Sequence, residues 1–264
     1  MRTHKAKQAA RIGCVPYLNA KPLIYGLEKE VALEHPARLA QRLAARELDT
    51  ALVPVVEVFR RPDYVVVDGI AIACRGPVYS VILAHRAPLQ ALREVVVDAS
   101  SGASALLLKV LLQKRFGLKP RYVTESLADK PSTADAQMLI GDQAIRFRQT
   151  IHGASGRWQI LDLGQAWFEW TGLPFVFAVW AAHADCLELP ALVRKLAAAR
   201  TAGCAHIEEI IAREQGGDAA FRRRYFAGNV RFRLGDREKA AMRLFQRHLL
   251  DLGELKEKRA LRFI

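Results

Sequence analysis

Short runs of apolar and β-branched residues alternate along this chain with longer amphipathic runs, a pattern that predicts strands separated by helices. Helical patterns fill the intervals between the strands, and the C-terminal third is predicted to be almost entirely helical. Continuous apolar strands of this kind predict an α/β fold with mostly parallel sheets that helices cover on both faces. The predicted strands cover 11–15, 50–53, 64–67, 70–74, 79–85, 94–98, 121–124, 137–140, 159–163 and 175–182.

Four of these strands are followed directly by loops of unusual composition. The loops read PYLNA after 11–15, PVVE after 50–53, ASSGAS after 94–98 and GDQA after 137–140. Open α/β sheets bind ligands at the carboxyl ends of their strands. The four loops therefore predict one ligand site.

Two long strand-like runs, GPVYSVILAH and GLPFVFAVWAAH, lie on either side of the segment 87–174, and a Gly/Pro turn introduces each of them. They predict that the chain crosses twice between two lobes. Lobe one is then 1–85 plus 180–264, and lobe two is 86–179. A two-strand hinge would let the lobes close on a ligand. The alternative is that both runs are central strands of one sheet.

The composition of the 264 residues, 51% apolar and 25% charged, is that of a globular protein. No apolar run is long enough to cross a bilayer, and the basic start MRTHKAKQAA lacks a secretion signal, so we expect a cytoplasmic protein without membrane contact. The four cysteines are far apart in sequence and are predicted to be buried thiols. With the histidines equally dispersed, we expect no metal and no cofactor.

The net charge of +13 raises the question of a nucleic-acid partner. Residues 1–11 contribute +4 and residues 221–264 contribute +8, which leaves +1 for residues 12–220. The excess is thus concentrated at the two ends, and no nucleic-acid-binding motif accompanies it. We expect no nucleic-acid partner, and a positive field that favours small anions.

The loop ASSGAS has the composition of a helix N-terminus that binds an anion. Ser100 or Ser101 can cap a helix, while Gly102 and Ala103 leave its first N–H groups open to a carboxylate or phosphate. A plain N-cap is the alternative. The loop GDQA repeats the pattern with Gly141 and the acidic cap Asp142, and there too a structural cap remains open.

Six runs follow one another in order from about residue 11 to 250, namely GCVPYLNAKPLIYGLE, ELDTALVPVVEV, GIAIACRGPVYSVIL, VVVDASSGASALLLKVLL, MLIGDQAI and LGQAWFEWTGLPFVFAVWAA. Together they resemble the chorismate dehydratase family of the futalosine route to menaquinone. The resemblance implies a two-lobed, periplasmic-binding-protein-like fold of type II that works in the cytoplasm. Two departures stand beside it: Pro16 where the family usually has Ser, and Gly102-Ala103 where it commonly has Arg-Thr.

The activity that the resemblance implies is elimination of water from chorismate, a dianion, to give 3-[(1-carboxyvinyl)oxy]benzoate. Removal of the ring proton H3 moves charge onto the ring carboxylate, so donors at that carboxylate would stabilise the transition state. Ser100, Ser101 and the N–H groups of Gly102 and Ala103 are the candidate donors. Aromatisation makes the reaction favourable, which suits a site without metal or cofactor.

Asn19 is the predicted central polar residue, since its amide can donate to the leaving hydroxyl or orient a carboxylate. The loops offer only Glu57 and Asp142 as acids, and a carboxylate of the substrate remains an alternative base. Tyr17 is predicted to form an apolar wall or a phenol donor. Ser80 is a candidate donor to a carboxylate, or else an ordinary strand serine.

Two other functions remain open at this point. The first is a solute-binding module for a small aromatic or carboxylate ligand, because a fold built for capture does not imply catalysis. The second is the sister enzyme of the pathway, 1,4-dihydroxy-6-naphthoate synthase, for which a catalytic histidine near the ligand is expected. No histidine occurs in the loops 16–22, 54–57, 99–104 or 141–144. The sequence does not indicate an oligomeric state.

Overall fold

A computed structural model describes residues 11–98, 102–125, 134–151, 158–214 and 218–264. The strands are β1 (Ile12–Cys14), β2 (Val31–Leu33), β3 (Thr50–Pro54), β4 (Tyr64–Cys74), β5 (Val81–His85), β6 (Glu94–Asp98), β7 (Arg121–Glu125), β8 (Ala136–Ile140), β9 (Gln159–Asp162) and β10 (Phe175–His183). The helices are α1 (Pro36–Ala44), α2 (Val55–Arg60), α3 (Gly102–Val110), α4 (Gly141–Ile151), α5 (Leu163–Thr171), α6 (Leu189–Ala205), α7 (Ile207–Arg213), α8 (Ala219–Gly228) and α9 (Asp236–Asp251).

The strands form two five-stranded sheets with the same topology. The first has the order β2-β1-β3-β10-β4 and the second the order β7-β6-β8-β5-β9. The fourth strand in this order is β10 in the first sheet and β5 in the second. Each is the first strand that the chain forms after it leaves the other sheet. Two sheets with helices, joined by two crossings, confirm the predicted two-lobed α/β fold.

Four of the five strands in each sheet run in the same direction, as expected for mostly parallel sheets, and one strand in each makes the sheet mixed. Strands β10 and β5 each run antiparallel to both neighbours, and the other pairings are parallel. The reason is the direction of entry: Ala178 of β10 pairs with Pro54 at the end of β3, and Val81 of β5 pairs with Ile140 at the end of β8. Both strands therefore start at the edge where the parallel strands finish.

Strand membership also moves the boundaries between the lobes. The predicted lobe one ended at residue 85, but β5 pairs with β8 and β9 of the second sheet and, in the described ranges, with no strand of the first. Likewise, β10 begins at Phe175 and belongs wholly to the first sheet, although the prediction assigned residues up to 179 to lobe two. Neither strand itself spans the lobes. The crossings are the segment 75–80 and the segment 163–174, which contains α5.

Helices α5 and α9 pack together beside β10 around an aromatic cluster. The ring of Trp167 lies 5.3 Å from that of Phe175, and Phe175 lies 4.9 Å from Phe245. Trp170, half-buried, stacks on His248 at 4.8 Å. The apolar face of α9, in the basic C-terminal region, therefore packs in the core, and the charged residues of the helix lie on its other face.

The thiols only partly follow the prediction that all four are buried. Cys14 and Cys74 are buried, Cys186 is half-buried and Cys204 is exposed. Burial raises the pKa of Cys14 to about 12 and also raises that of Cys74. Within the ranges that the structure describes, no helix has the length and apolarity needed to cross a membrane.

Candidate functional site

A cavity lies between the two lobes, at the edge where the parallel strands of both sheets end. It contains about 730 Å³ of space not filled by protein atoms, including the mouth that opens to solvent. Its wall is mostly apolar, with a few polar side chains, as is usual for small-molecule sites. The described lining residues are Val15, Tyr17, Asn19, Pro36, Leu52, Pro54, Ile72, Ala73, Val78, Ser80, Val81, Ala103, Ser104, Ile140, Gly141, Phe177, Ala178 and Val230.

Asn19 enters the cavity from the loop after β1. This loop continues as a short 3-10 helix, Leu18–Leu23, whose Leu18, Ala20, Pro22 and Leu23 are buried. Because the apolar members of the helix are anchored in the core, the polar Asn19 is left at the cavity. Its Oδ1 atom is buried and has no hydrogen-bond partner among the described residues. An unpaired buried acceptor is costly unless a ligand or water supplies a donor.

Ser80 and Tyr225 form a buried polar pair behind Asn19. Ser80 closes the first crossing, is 1% exposed, and has its Oγ 2.9 Å from the Tyr225 hydroxyl. Burial raises the pKa of Tyr225, and its hydrogen bond with Ser80 partly offsets that rise. The structure thus places against Ser80 a tyrosine of α8 that the sequence reasoning missed.

The N-terminus of α3 forms part of the opposite wall. Ala103 and Ser104 are buried there and line the cavity. Gly102, with φ of +31°, is not among the described lining residues: a Cβ atom added to it would lie 3.3 Å from Cγ of Pro54 in lobe one. Ser100 and Ser101 lie outside the described residues. The predicted anion-binding helix N-terminus therefore faces the cavity through Ala103 and Ser104.

The N-terminus of α4 reaches the cavity at Gly141, which has φ of +56°. The Gly141 N–H donates to the Ser80 carbonyl oxygen at 2.7 Å, and a Cβ atom at Gly141 would lie 3.9 Å from Cδ1 of Tyr17. The ring of Tyr17 thus covers Gly141 from the other lobe, in keeping with its predicted role as a wall. The hydroxyl of Tyr17 lies 3.5 Å from Nδ1 of His35, at the rim.

Two predicted ligand contacts are not placed at the cavity. Glu57 lies on α2, where Val55, Val56, Val58 and Phe59 are buried, and its carboxylate lies 3.4 Å from Nη1 of Arg60. Asp142, next to Gly141, is half-buried; burial raises its pKa, partly offset by Arg146, Lys21 and Arg222. Neither side chain is among the described lining residues, so the structure does not bring these two acids to the ligand space.

The first crossing is fastened to lobe two by Asp162. Its Oδ1 accepts from the N–H groups of Val78 and Gln165, both at 3.0 Å, and its Oδ2 accepts from the Tyr79 N–H at 2.8 Å and from Arg148 at 3.0 Å. Tyr79 has a φ of +65°, which is costly for a residue with a side chain. This network holds the Tyr79 backbone in that conformation, and with it the position of Ser80.

Sequence reasoning also missed Ser104 and Phe177 as lining residues. Ser104 could have been found, since it follows Ala103 in the same helical turn. Phe177 and Tyr225 carry no local signal, because they look like ordinary core residues of a strand and a helix. Within the described ranges, no three His, Cys, Asp or Glu side chains form a group that could hold a metal. The prediction that the protein uses no metal stays a prediction.

Two lobes of equal topology, joined by two crossings and enclosing a cavity, define the periplasmic-binding-protein-like class. A solved protein from Archaeoglobus fulgidus has this fold with a TM-score of 0.70 at 15% identity, over 93% of this chain and 98% of that chain. The periplasmic aliphatic sulphonate-binding protein of Escherichia coli gives a TM-score of 0.64 at 18% identity, over 95% and 94%. At these identities the similarity shows the fold alone.

The sequence relationship goes further than the fold. A family model described as menaquinone biosynthesis matches residues 10–250. The chorismate dehydratase of Thermus thermophilus is 31% identical over 252 residues, which cover 89% of this chain and 93% of that protein. The chain therefore belongs to the menaquinone biosynthesis family that contains this dehydratase, which confirms the predicted family.

Proposed function

We propose that this protein is a chorismate dehydratase, a carbon–oxygen lyase that converts chorismate into 3-[(1-carboxyvinyl)oxy]benzoate and water. The observation that carries the proposal is the cavity itself. It combines an apolar enclosure for a six-membered ring with the Asn19 amide on one wall and a helix N-terminus on the other. The similarity to the dehydratase of Thermus thermophilus extends over both lobes that build this cavity.

The ring carboxylate of chorismate is assigned to the N-terminus of α3. The open N–H groups of a first helical turn bind anions, and their dipoles favour negative charge. Ser104 adds a hydroxyl at the same place. Loss of H3 increases the negative charge on this carboxylate, so donors fixed here stabilise the transition state more than the ground state. The Ser104 hydroxyl replaces part of the hydrogen-bond donors that an Arg-Thr pair would supply and that Gly102-Ala103 do not.

The elimination needs a base for H3 and an acid for the departing hydroxyl. Among the described residues that line the cavity there is no Asp, Glu, His or Lys. We assign the base to the carboxylate of the enolpyruvyl group of chorismate, because the ether oxygen of this group is attached to the carbon that bears H3. The C3–H bond breaks, its electron pair completes the aromatic ring, the C4–O bond breaks, and the hydroxyl leaves as water with the transferred proton.

The protein's part in this scheme is enclosure and orientation. The apolar wall excludes water, which strengthens the interactions of the two carboxylates with their donors. Asn19 holds the hydroxyl that leaves, and Tyr17 covers the ring at the rim. Orientation of this kind supplies much of the rate when the reacting groups already belong to one molecule.

The proposal is tested by incubating the purified protein with chorismate and following the appearance of a product lighter by one water by mass spectrometry. We expect turnover by the wild type and a loss of about 100-fold or more in Asn19→Ala. Gln41→Ala, which removes an exposed amide from α1 in the same lobe, is the matched control and should keep full activity. A chorismate analogue without the enolpyruvyl carboxylate should bind without losing water.

Three other outcomes would refute parts of the proposal. Chorismate that binds but stays unchanged would identify a solute-binding module. Chorismate that does not bind would show that the site serves another ligand. Turnover of the carboxylate-free analogue would leave the dehydration standing and overturn the assignment of the base.

A further inference from the structure

Strand β10 has an irregular side-chain pattern where it reaches the cavity. Seven of its nine residues are buried, and the two half-buried ones, Phe177 and Ala178, are consecutive and both line the cavity. Consecutive side chains of a regular strand point to opposite faces of the sheet. A regular strand would therefore not bring both of these side chains to one cavity.

The irregularity is a β-bulge at Phe177. The residues on either side of Phe177 pair with consecutive residues of β4, so Phe177 itself is an extra residue in the ladder. The pairing with β3 begins only after Phe177, at Ala178 opposite Pro54. Bulges redirect side chains and are frequent beside active sites. The backbone of β10 thus departs from regular pairing at the residue whose aromatic ring reaches the cavity.

We propose that Phe177 is a specificity-determining residue: its ring is the surface on which the ring of the substrate lies, and it makes the site selective for a flat, unsaturated six-membered ring. This inference rests on the proposed dehydration, whose substrate and product carry such a ring. Phe177 and Tyr17 are the aromatic side chains among the described residues that line the cavity. Because Tyr17 covers Gly141 at the rim, the aromatic surface on the sheet of lobe one belongs to Phe177.

The ring of Phe177 is held by the aromatic cluster behind it. It lies 4.8 Å from the ring of Phe175, with an angle of 68° between the ring planes. Phe175 is buried and contacts Trp167 at 5.3 Å and Phe245 at 4.9 Å. Edge-to-face contacts of this kind are favourable and fix the orientation of a ring. A ring that is already held in place loses little freedom when a ligand covers it.

Helix α3 relates this aromatic surface to the charged end of the ligand. The helix belongs to lobe two and lies against β10 of lobe one. Its first turn lines the cavity with Ala103 and Ser104, the turn to which the ring carboxylate is assigned. A carboxylate bound there brings the ring that carries it towards β10 and Phe177.

The preference for a flat ring follows from the shape of the contact. The face of a phenylalanine ring can touch every atom of a flat ring, whereas the hydrogens on both faces of a saturated ring hold its carbon atoms away. Contacts between two aromatic rings also contribute beyond the area that they bury. The ring of chorismate becomes aromatic as water leaves, so its contact with Phe177 improves along the reaction. No bond to the protein forms or breaks.

The test compares two ligands that differ only in ring shape. 3-(Carboxymethoxy)benzoate and 3-(carboxymethoxy)cyclohexanecarboxylate carry the same two carboxylates on a flat and on a saturated ring. In calorimetric titrations the wild type should bind the flat ligand about 5- to 10-fold more tightly. Phe177→Leu should reduce this ratio to about 2-fold or less, because leucine offers no flat face. Phe177→Tyr keeps the ring and should keep the ratio.

Two further variants separate loss of the ring from loss of packing. Phe177→Met fills similar space with a flexible chain and gives the same comparison if Phe177→Leu does not fold. Phe116→Leu is the matched control, since Phe116 is half-buried in lobe two and is not among the described lining residues. It should keep the ratio of the wild type.

The outcomes distinguish this inference from the proposed function. An unchanged ratio in Phe177→Leu or Phe177→Met, or an equal fall in Phe116→Leu, would overturn the role of Phe177; with chorismate turned over by the wild type, the dehydration would still stand. A ratio that depends on Phe177 in a protein that leaves chorismate unchanged would support the ring site and refute the dehydration. Failure of the wild type to bind either ligand would overturn both.

Discussion

Gly203 of helix α6 packs directly against the backbone of Pro22, in the 3-10 helix that carries Asn19. A Cβ atom added at Gly203 would lie 2.7 Å from Cα of Pro22 and closer still to the Pro22 carbonyl oxygen. Since these are backbone atoms, the overlap cannot be relieved by a side-chain rotation. The position of the loop that carries Asn19 therefore depends on a glycine in a helix remote from it in sequence.

Gly203→Ala is expected to displace the loop at 18–23 or to loosen α6. Overpacking of this kind costs about 1–3 kcal/mol in the free energy of unfolding, and turnover of chorismate should fall with it. Urea denaturation and steady-state kinetics measure the two effects. Gly228→Ala, where the added methyl group meets open space at the end of α8, is the control and should not destabilise the protein. Equal behaviour of the two variants would contradict the packing argument.

Asp162→Asn should loosen the first crossing. Asparagine has one side-chain acceptor oxygen, so either orientation of its amide leaves two of the four donors at Asp162 facing an NH₂ group. We expect a loss of about 2–4 kcal/mol in unfolding free energy and weaker binding of chorismate. Denaturation and calorimetric titration are the measurements. Asp185→Asn breaks the exposed pair with Arg46 and should change both quantities far less.

Asp142→Asn should stabilise the protein at neutral pH. Burial raises the folded-state pKa of Asp142, so the native state binds this proton more tightly than the unfolded chain does. The stabilisation by protonated Asp142 is thus fully present below the unfolded-state pKa and is lost as the pH rises through the folded-state pKa. At pH 7 the ionised carboxylate of Asp142 therefore lowers the free energy of unfolding. Asparagine carries no such cost. Removal of a negative charge near the cavity should also tighten the binding of dianionic chorismate.

The corresponding measurement is the unfolding free energy of both proteins from pH 7 down to pH 4. The advantage of Asp142→Asn should shrink as the pH falls. Asp185→Asn serves as a control of opposite sign, because Arg46 lowers the pKa of Asp185 in the folded state. An advantage of Asp142→Asn that is constant with pH would show that it does not arise from the ionisation of Asp142.

Thiol reactivity should divide the four cysteines by their burial. At pH 8 we expect rapid reaction of Cys204, slower reaction of Cys186, and no reaction of Cys14 and Cys74 until the protein unfolds. Burial raises the pKa of Cys14 to about 12, so almost none of this thiol is ionised at pH 8. A coloured disulfide reagent with stopped-flow detection measures the phases. Cys204→Ser should remove the fast phase, and a fast phase that survives would contradict the assignment.

Hydrophobic periodicity predicted most of the strands, and it failed where tertiary pairing decides. Strand β2 was not predicted, because Val31–Leu33 is too short to show a pattern and exists through its pairing with β1. The runs 64–67 and 70–74 were predicted as two strands, but β4 is continuous. The strand continues through the polar residues between these two runs because Gly69 adopts a φ of +75° and the pairing with β10 shifts in register there.

The sequence by itself determined the fold class, the family and the loops that meet at the cavity, because these depend on local patterns and on residues close together in the chain. Asn19, Tyr17 and Ala103 were found in this way. Only the tertiary structure decided that Ser104 and Phe177 line the cavity, that Glu57 and Asp142 do not, and that both sheets are mixed. The physical reason is that the direction of a side chain and the partner of a strand are set by packing between segments remote in sequence. Tyr225 of α8, whose hydroxyl lies 2.9 Å from Oγ of Ser80, is brought to the wall of the cavity by packing of this kind.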